Sequence, residues 1–304
     1  MIIALLSAKP IEEEKMRHII SKKLDLINNV QIALDKNDNL ILYSVDFPKS
    51  LLSILYILSV SDYVYFFAGS EINALDAELA LCIENSGIVE GLILKDDYSD
   101  ITSFDRFFDK YKIGKFKKSD LVSISIERQK EKERDFKYVS IDKHFIVKGI
   151  GSVIIGFVLG QQIKKGEKLL LLPSLKQCSI KSIQIMDVDN DSAEAGSHVG
   201  LALNNVSEQD LSNNYAISSI SKLIDTVQVE LTLSAFYKED PFSKQLSCSF
   251  FGEPLSLNLS KGESFVKAHF NKKIPEINES FLIIDSSLAI GKNRVVGKIK
   301  LIKN

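Results

Sequence analysis

The chain has 304 residues, enough for two or three domains with hydrophobic cores of their own. Its 38 basic and 40 acidic residues nearly balance, and 45% of its residues are hydrophobic. This composition excludes a strongly basic nucleic-acid-binding chain and an acidic disordered chain. No uncharged apolar run reaches the roughly 18 to 20 residues of a membrane helix, and no basic leader precedes Ile2, so we expect a cytoplasmic protein without membrane contact.

The first part of the chain, residues 1–126, alternates strand-like apolar runs with helical periodicity. The predicted strands are Ile2–Leu6, Val30–Leu34, Leu40–Val45, Tyr63–Ala68, Val89–Leu94 and Leu121–Ile126. The predicted helices are Ile11–Leu26, Leu51–Val60, Ala74–Asn85 and Ser103–Tyr111. Continuous Val, Ile, Leu and Phe runs separated by helices are typical of a mostly parallel sheet covered on both faces. We therefore predict an α/β domain over residues 1–126.

The rest of the chain changes character. Residues 127–139 are a run of mixed charges with almost nothing to bury, which indicates a solvated linker. Residues 140–222 then contain short predicted strands with turn-rich spacing, at 145–148, 153–159, 168–172, 179–186 and 199–203. Residues 223–304 repeat that style, with Pro241, Gly252, Gly262 and Pro275 between strands. Both segments predict small antiparallel β-barrels.

Two motifs in these barrel segments carry a family resemblance. The segment Asp142–Gly156, followed by Ile163–Glu167, Ile183-Gln184 and Ala195–Leu203, resembles domain 2 of the translational GTPases, as in elongation factor Tu and the selenocysteine-specific elongation factors. The segment Asn293–Ile299 resembles the closing strand of their domain 3. In that family an Arg and a Gly of this strand lie against the acceptor and T-stem backbone of tRNA. The resemblance implies a GTPase-like α/β domain followed by the two translation-factor barrels.

The first domain departs from the GTPase motifs where the phosphates would bind. A P-loop of the form GxxxxGK[ST] uses glycine backbone to wrap phosphates, and Lys and Ser/Thr to reach phosphate oxygens and Mg²⁺. Here the junction reads Ser7-Ala8-Lys9-Pro10, and the chain has no glycine before Gly69. Pro10 lacks an N–H, and the glutamates at 12–14 would repel a triphosphate. We expect no conventional phosphate binding.

The switch and guanine motifs are also altered. The second-switch motif, DxPG followed by His, corresponds to Asp46-Phe47-Pro48-Lys49-Ser50, so Lys49 replaces the glycine and Ser50 the histidine. The first threonine of the chain is Thr102, far from the first switch. NKxD corresponds to Leu94-Lys95-Asp96-Asp97, and Ser125-Ile126 stands in the place of the family's Ser-Ala. Lys95 and Asp97 keep the spacing for a guanine contact, but such a pair is more often a turn or helix cap. We predict a pseudo-GTPase that binds neither GTP nor GDP.

Other chemistry is scarce in the sequence. The three cysteines, Cys82, Cys178 and Cys248, form no CxxC and suit buried small hydrophobes. The four histidines have no metal spacing and stand near no apparent catalytic carboxylate or nucleophile; they are His18, His144, His198 and His269. We expect no metal, no cofactor and no enzymatic activity.

The leading hypothesis is a monomeric protein that binds tRNA or aminoacyl-tRNA without GTP. The segment 226–304 has 11 basic and 8 acidic residues, whereas 1–126 has 14 and 19, so any RNA contact should be local to the last barrel. The candidate contacts to the RNA backbone are Lys267, Lys272, Lys273, Lys292, Arg294, Gly297, Lys298 and Lys300. These lysines also suit an ordinary solvated barrel face.

Two alternatives remain open. The acidic first domain could instead dock a synthetase, another translation factor or the ribosome, which would make the chain a protein-interaction module. A third possibility is residual guanine-nucleotide binding by an unusual mode through Lys95 and Asp97.

Overall fold

The computed structural model describes residues 1–124, 134–263 and 265–302. The chain forms an α/β domain followed by two closed β-barrels, which confirms the fold class predicted from the sequence. Most of the predicted charged linker, residues 127–133, and the Ser125-Ile126 pair lie outside the described residues. Among the described helices, none combines the length and apolar character that a membrane span requires.

The α/β domain is built on a seven-stranded sheet of order β2-β3-β4-β1-β5-β6-β7. Strands β4, β1, β5, β6 and β7 are parallel to one another, and β2 and β3 extend the sheet antiparallel from β4. β1 and β5 are buried at every position because helices cover both faces. The strands are β1 Ile2–Leu6, β2 Lys22–Ile27, β3 Val30–Leu34, β4 Leu40–Ser44, β5 Tyr63–Phe67, β6 Gly91–Lys95 and β7 Lys117–Asp120.

The helices of this domain are α1 Glu13–Ile19, α2 Leu52–Val60, α3 Ala74–Asn85 and α4 Ile101–Phe108, with single 3₁₀ turns at Lys112–Lys115 and Leu121–Ser123. α2 and α3 follow the sequence prediction to within one residue. α4 begins two residues before its predicted start because the Asp100 carboxylate accepts a hydrogen bond from the Ser103 N–H at 2.9 Å and caps the helix.

The predicted helix Ile11–Leu26 is wrong in its second half. α1 ends at Ile19, and the following residues form β2, which pairs with β3 through a two-residue hairpin. Asn28 and Asn29 form that turn with φ of 49° and 63°, and asparagine tolerates this left-handed region better than most residues. The predicted strand Leu121–Ile126 is also wrong over its described residues: β7 is Lys117–Asp120, and Leu121–Ser123 form a 3₁₀ turn.

The first barrel closes through a ring of six strands, β12-β17-β8-β10-β16-β13, with β13 returning to β12. β9 and β14 pair outside this ring, and β11 pairs with β15. Its first strand begins at Lys137, inside the segment expected to be linker. The elements are β8 Lys137–Ser140, β9 Lys143–Val147, β10 Gly151–Gly160, β11 Ile163–Lys164, β12 Lys168–Leu172, β13 Gln177–Ile185, β14 Val188–Asn190, β15 Ser192–Ala193, β16 His198–Asn204, α5 Glu208–Ser212 and β17 Ala216–Ser218.

The second barrel is closed in the order β18-β21-β20-β19-β22-β23, and β23 returns to β18. A 3₁₀ turn at Pro241–Ser243 precedes its second strand. The strands are β18 Leu223–Leu233, β19 Gln245–Phe250, β20 Glu253–Lys261, β21 Val266–Pro275, β22 Ser280–Ile284 and β23 Val295–Leu301.

The three parts share buried interfaces. One hydrophobic cluster extends from the α/β domain through Tyr138 of the first barrel to Phe250 and Phe251 of the second. The ring of Tyr138 lies 5.1 Å from that of Phe251, centroid to centroid. The Ser59 hydroxyl at the end of α2 accepts a hydrogen bond from the Gly252 N–H at 2.9 Å. The barrels are therefore packed against the α/β domain through protein contacts.

Candidate functional site

The carboxyl edge of the parallel sheet is where an open α/β fold binds ligands. The Ser7–Pro10 turn follows β1 at this edge, and its Ser7 hydroxyl donates to the Lys9 carbonyl at 2.6 Å. The next helix, α1, has only seven residues, and its N-cap residue Glu12 makes no side-chain capping bond. The Ser7 hydroxyl therefore forms a hydrogen bond within the turn.

Lys15 of α1 lies across this edge. Its ammonium contacts the Asp96 carboxylate at 2.8 Å and the Glu12 carboxylate at 3.3 Å. The same ammonium lies 5.9 Å and 5.6 Å from the ring centroids of Phe67 and Tyr98. The hydrogen bond to Asp96 raises the pKa of Lys15, so the lysine remains charged. A cavity of about 150 Å³ remains beside it.

Sequence reasoning missed both members of this pair. Asp96 occupies the variable position of the altered NKxD motif, and Lys15 lies outside the P-loop spacing. Burial opposes ionisation of Asp96, but the hydrogen bonds from Lys15 and the Tyr98 N–H outweigh it and lower the pKa of the carboxyl. The three-residue spacing of Glu12 and Lys15 was the only local signal, and it does not identify Asp96.

The predicted guanine-contact residues do not converge. Leu94 is fully buried in the core of the sheet, at the position of the family's Asn. Lys95 is ion-paired with Asp120 at the end of β7, and Asp97 is exposed. Lys95 and Asp97 thus have different surroundings despite their spacing.

The altered second switch forms a hydrogen-bonded turn before α2. The Asp46 carboxylate accepts hydrogen bonds from the hydroxyls of Ser53 at 2.6 Å and Ser44 at 2.9 Å. The Lys49 N–H donates to the Asp46 carbonyl at 2.8 Å, and the Ser50 hydroxyl accepts from the Leu52 N–H at 3.0 Å. Asp46 and Ser50 therefore have local structural partners, and the Lys49 side chain is exposed.

Arg294 is not on the surface, which corrects the expectation that it faces RNA. It is 3% exposed, and its Nε and Nη2 donate to the Glu78 carboxylate of α3 at 2.9 and 2.5 Å. Its Nη1 donates to the Pro48 carbonyl at 2.9 Å. A guanidinium that donates two hydrogen bonds to one carboxylate supplies the hydrogen bonds and the counter-charge that a buried carboxylate needs. Arg294 thus joins the second barrel to the α/β domain.

Gly297 is also buried, which corrects its assignment as an RNA contact. Its φ is +145°, and a Cβ built there would lie 2.0 Å from the Thr232 carbonyl oxygen of β18. The glycine is required by this close strand approach.

Three of the candidate lysines share the outer face of the second barrel. Lys267 of β21 lies opposite Gln228 of β18, and Lys298 and Lys300 of β23 lie opposite Thr232 and Glu230. They form a basic stripe on β21 and β23, and Glu230 of β18 lies between these two strands. We call Lys267, Lys298 and Lys300 the barrel stripe.

The other candidate lysines lie apart from the barrel stripe. Lys272 is ion-paired with Glu253, and Lys292 is exposed in the loop before β23. The Lys273 side chain is exposed, and its carbonyl accepts a hydrogen bond from the Tyr215 hydroxyl of the first barrel at 2.7 Å.

A polar junction joins the α/β domain to the first barrel. Lys143 of β9 donates to both carboxylate oxygens of Asp25 of β2 at 2.6 Å. Asp142 and His198 lie nearby, and one buried atom of each, Oδ2 and Nε2, has no hydrogen-bond partner among the described residues. Burial raises the pKa of Asp142 to about 7 and lowers that of His198 to about 4.

These two groups predict opposing pH effects on stability. A carboxyl whose pKa is raised in the folded state contributes stability at pH values below its pKa in the unfolded chain, which is near 4. This contribution is lost as the pH rises through about 7, the pKa of Asp142 in the folded state. A histidine whose pKa is lowered in the folded state contributes stability at pH values above its pKa in the unfolded chain, about 6.5. This contribution is lost as the pH falls through about 4, the pKa of His198 in the folded state. We expect Asp142→Asn to remove the loss of stability above pH 5, so that the variant gains relative to the parent as the pH approaches 8.

Urea midpoints between pH 4 and 8 measure this effect. Asp189→Asn, an exposed residue of the same barrel, is the matched control and should follow the parent. Parallel profiles for the parent and Asp142→Asn would contradict the assignment.

Comparison with known proteins relates the chain to translation factors. No family model matches it. An uncharacterized protein of Methanocaldococcus jannaschii is 24% identical over 203 residues, which cover 64% of this chain and 65% of that protein. The selenocysteine-specific elongation factor of the same organism is 29% identical over 132 residues, 41% of this chain and 28% of that protein. The GTP-binding subunit of the peptide chain release factor of Ogataea pini is 37% identical over 82 residues, 27% and 11% of the two chains. The match thus spans less than two thirds of each relative.

Solved structures match over nearly the whole chain. The elongation factor SelB of Methanococcus maripaludis, in complex with the GTP analogue GppNHp, has a TM-score of 0.73 at 13% identity and covers 99% of this chain and 78% of that chain. A bacterial selenocysteine-specific elongation factor, EF-Sec, has a TM-score of 0.71 at 13% identity and covers 99% and 57%. At this identity the likeness establishes a shared fold.

Proposed function

We propose that this chain is a translation-associated protein that binds tRNA or aminoacyl-tRNA without a GTP switch. The observation that carries the proposal is that the turn after β1, where a nucleotide-gated factor binds phosphates, contains Pro10 and lies beside a Lys15 ammonium that is already paired. Lys15 and Asp96 pair across the carboxyl edge of the sheet, and Arg294 and Glu78 join the second barrel to the α/β domain. The three-domain fold shared with elongation factors supports the translation role.

The turn after β1 lacks the groups that hold a triphosphate. Triphosphate binding needs successive free N–H groups and a metal-binding hydroxyl at the turn after β1. Pro10 has no N–H, and the Ser7 hydroxyl is engaged by the Lys9 carbonyl. The Lys15 ammonium is neutralised by Asp96 and Glu12. A guanine contact alone supplies too little affinity to compensate for the missing phosphate contacts, so the domain acts as a pseudo-GTPase without hydrolysis.

The barrel stripe is the surface that contacts the RNA in this proposal. The barrel stripe places three lysines on β21 and β23, the two strands that pair with β18, and such a group of ammonium ions can contact the phosphates of an RNA backbone. Glu230 lies among them and reduces the local positive charge. The contact is therefore of modest strength, independent of RNA sequence and strongly dependent on salt.

Filter binding of the full chain to unfractionated tRNA, at 50 and 200 mM salt, tests this proposal. We expect saturable binding that weakens with salt. Replacement of the whole barrel stripe by alanine should lower the affinity about 10- to 100-fold and reduce the salt slope by about 2 to 3, because each lysine releases about one counterion. The matched control replaces three exposed lysines of the α/β domain, Lys22, Lys36 and Lys110, by alanine.

Three results would overturn the proposal: no binding at 50 mM salt, binding independent of salt, or equal losses in the two triple variants. Nucleotide independence is tested separately by thermal shift with GTP and GDP, each with Mg²⁺. A ligand at 100 times its dissociation constant stabilises its protein by about 2.7 kcal/mol. We expect no shift, so a clear stabilisation would contradict the pseudo-GTPase proposal.

A further inference from the structure

A second, larger cavity lies at the opposite edge of the α/β sheet from the Lys15–Asp96 pair. It has a volume of about 420 Å³ and opens between the α/β domain and the second barrel. The amino ends of β1 and β5, the end of α2 and the loop after α3 form one wall, and the start of β22 forms the other. This volume lies within the range of small-molecule sites, about 300 to 1,000 Å³. None of the motifs in the sequence pointed to it.

The cavity combines an apolar floor with an excess of acidic side chains. Its apolar lining includes Leu58, Phe251 and Phe281. Asp62, Glu90 and Glu279 line it together with the Arg134 guanidinium and Met1, and Asp62, Glu279 and Met1 already have partners. The carboxyl end of α2, at Val60, adds the partial negative charge of its last carbonyl groups. The Glu90 carboxylate and this helix end favour a cation in the cavity.

One wall already holds a cation. The guanidinium of Arg134 lies 4.9 Å from the ring centroid of Phe251, and its Nε is 3.3 Å from the Glu279 carboxylate. A ring face and a carboxylate are the two groups that bind an organic cation in a partly dry site. The Tyr63 ring and the Glu90 carboxylate offer similar groups elsewhere in the lining.

Ser61 provides an independent indication of a ligand. The residue is 8% exposed and lines the cavity, yet its hydroxyl has no hydrogen-bond partner among the described residues. A buried hydroxyl without a partner costs free energy, and the N–H of an amine or guanidine supplies the missing bond.

We propose that this cavity binds a small organic cation that carries an amine or guanidine on an apolar body. The site is distinct from the barrel stripe, so the proposal does not depend on RNA binding. The apolar body would lie on the floor at Leu58 and Phe281, and the cationic end would face Glu90 and the Ser61 hydroxyl.

Isothermal titration calorimetry of the full chain tests the site with tryptamine and agmatine as probes. Indole-3-propionate has the same aromatic body as tryptamine with an anionic end and serves as the matched ligand control. We expect saturable binding of at least one amine and none of the acid. Glu90→Gln should weaken amine binding about three- to tenfold, whereas Glu71→Gln, which lines the smaller cavity, should leave it unchanged.

A filling variant gives a second readout. Ser280→Phe places a ring in the cavity and should abolish binding. If that variant fails to fold by circular dichroism, Glu90→Gln decides alone. The proposal is overturned by no saturable binding of either amine at 5 mM, by equal binding of the acid, or by amine binding that Glu90→Gln does not weaken.

Discussion

Replacing Arg294 by methionine is expected to destabilise the protein by about 3 to 5 kcal/mol. The side chain is 3% exposed, and the Glu78 side chain with which it pairs is 6% exposed. Methionine leaves the Glu78 carboxylate buried and without its counter-charge, and it also leaves the Pro48 carbonyl without the donor at 2.9 Å. The cost arises from the charge left behind more than from the lost attraction.

A double variant separates these two contributions. Glu78→Met combined with Arg294→Met removes both charges, and we expect it to recover much of the stability lost by Arg294→Met alone. Urea unfolding midpoints at neutral pH measure the series. Arg17→Met is the control, because the Arg17–Glu13 pair is 76% and 85% exposed and should contribute little.

The same series reports on the arrangement of the domains. Arg294 of the second barrel donates hydrogen bonds to Glu78 of α3 and to the Pro48 carbonyl of the α/β domain. We therefore expect its loss to increase the radius of gyration measured by small-angle scattering before the protein unfolds globally. A destabilisation below about 1 kcal/mol together with an unchanged radius of gyration would show that the ion pair does not hold the domains together.

Gly156→Ala is expected to destabilise the first barrel by about 3 kcal/mol or more. A Cβ on Gly156 would lie 1.8 Å from the Ser140 carbonyl oxygen and 2.7 Å from its carbonyl carbon. Both are backbone atoms of the neighbouring strand β8, so no side-chain rotation relieves the clash. The Phe157 N–H also donates to the Ser140 hydroxyl at 2.9 Å, and any displacement of the strands would weaken this bond.

Gly200→Ala is the matched control in the same barrel. Its nearest neighbour, the Gln184 Cβ, would lie 4.0 Å from the added carbon, and its φ is not in the left-handed region. We expect this variant to be neutral or slightly stabilising, because alanine restricts the unfolded chain more than glycine does. Thermal unfolding followed by circular dichroism compares the two variants. Equal midpoints would contradict the close approach of β8 and β10.

The resemblance to the translational GTPases at Gly156 reflects the packing of the first barrel. Gly156 belongs to the segment Asp142–Gly156 that resembles domain 2 of the translational GTPases. Its requirement comes from strand packing, as does that of Gly297 in the second barrel. The resemblance at these glycines is therefore evidence for the barrel fold, while the RNA proposal depends on the lysines.

Sequence patterns alone were enough to predict the order of an α/β domain and two barrels, because continuous apolar runs and short turn-separated strands are local properties of the chain. They also determined which phosphate-binding residues are missing around Pro10. The Asn28-Asn29 hairpin was a local signal too, but helical periodicity across Ile11–Leu26 concealed it.

The partners of the charged residues could not be predicted in this way, because they depend on packing between distant segments of the folded chain. Glu78 and Arg294 are 216 positions apart, and no spacing rule relates them. The sequence predicts Arg294 as an RNA contact. In the folded chain α3 packs against β23, and Arg294 instead forms an ion pair with Glu78 between two domains. Lys15 and Asp96 also come together through the fold. Lys15 lies on α1, which follows β1, Asp96 follows β6, and parallel strands bring their carboxyl ends to one edge of the sheet. The sequence shows which side chains are charged, but packing between distant segments determines which group each of them contacts.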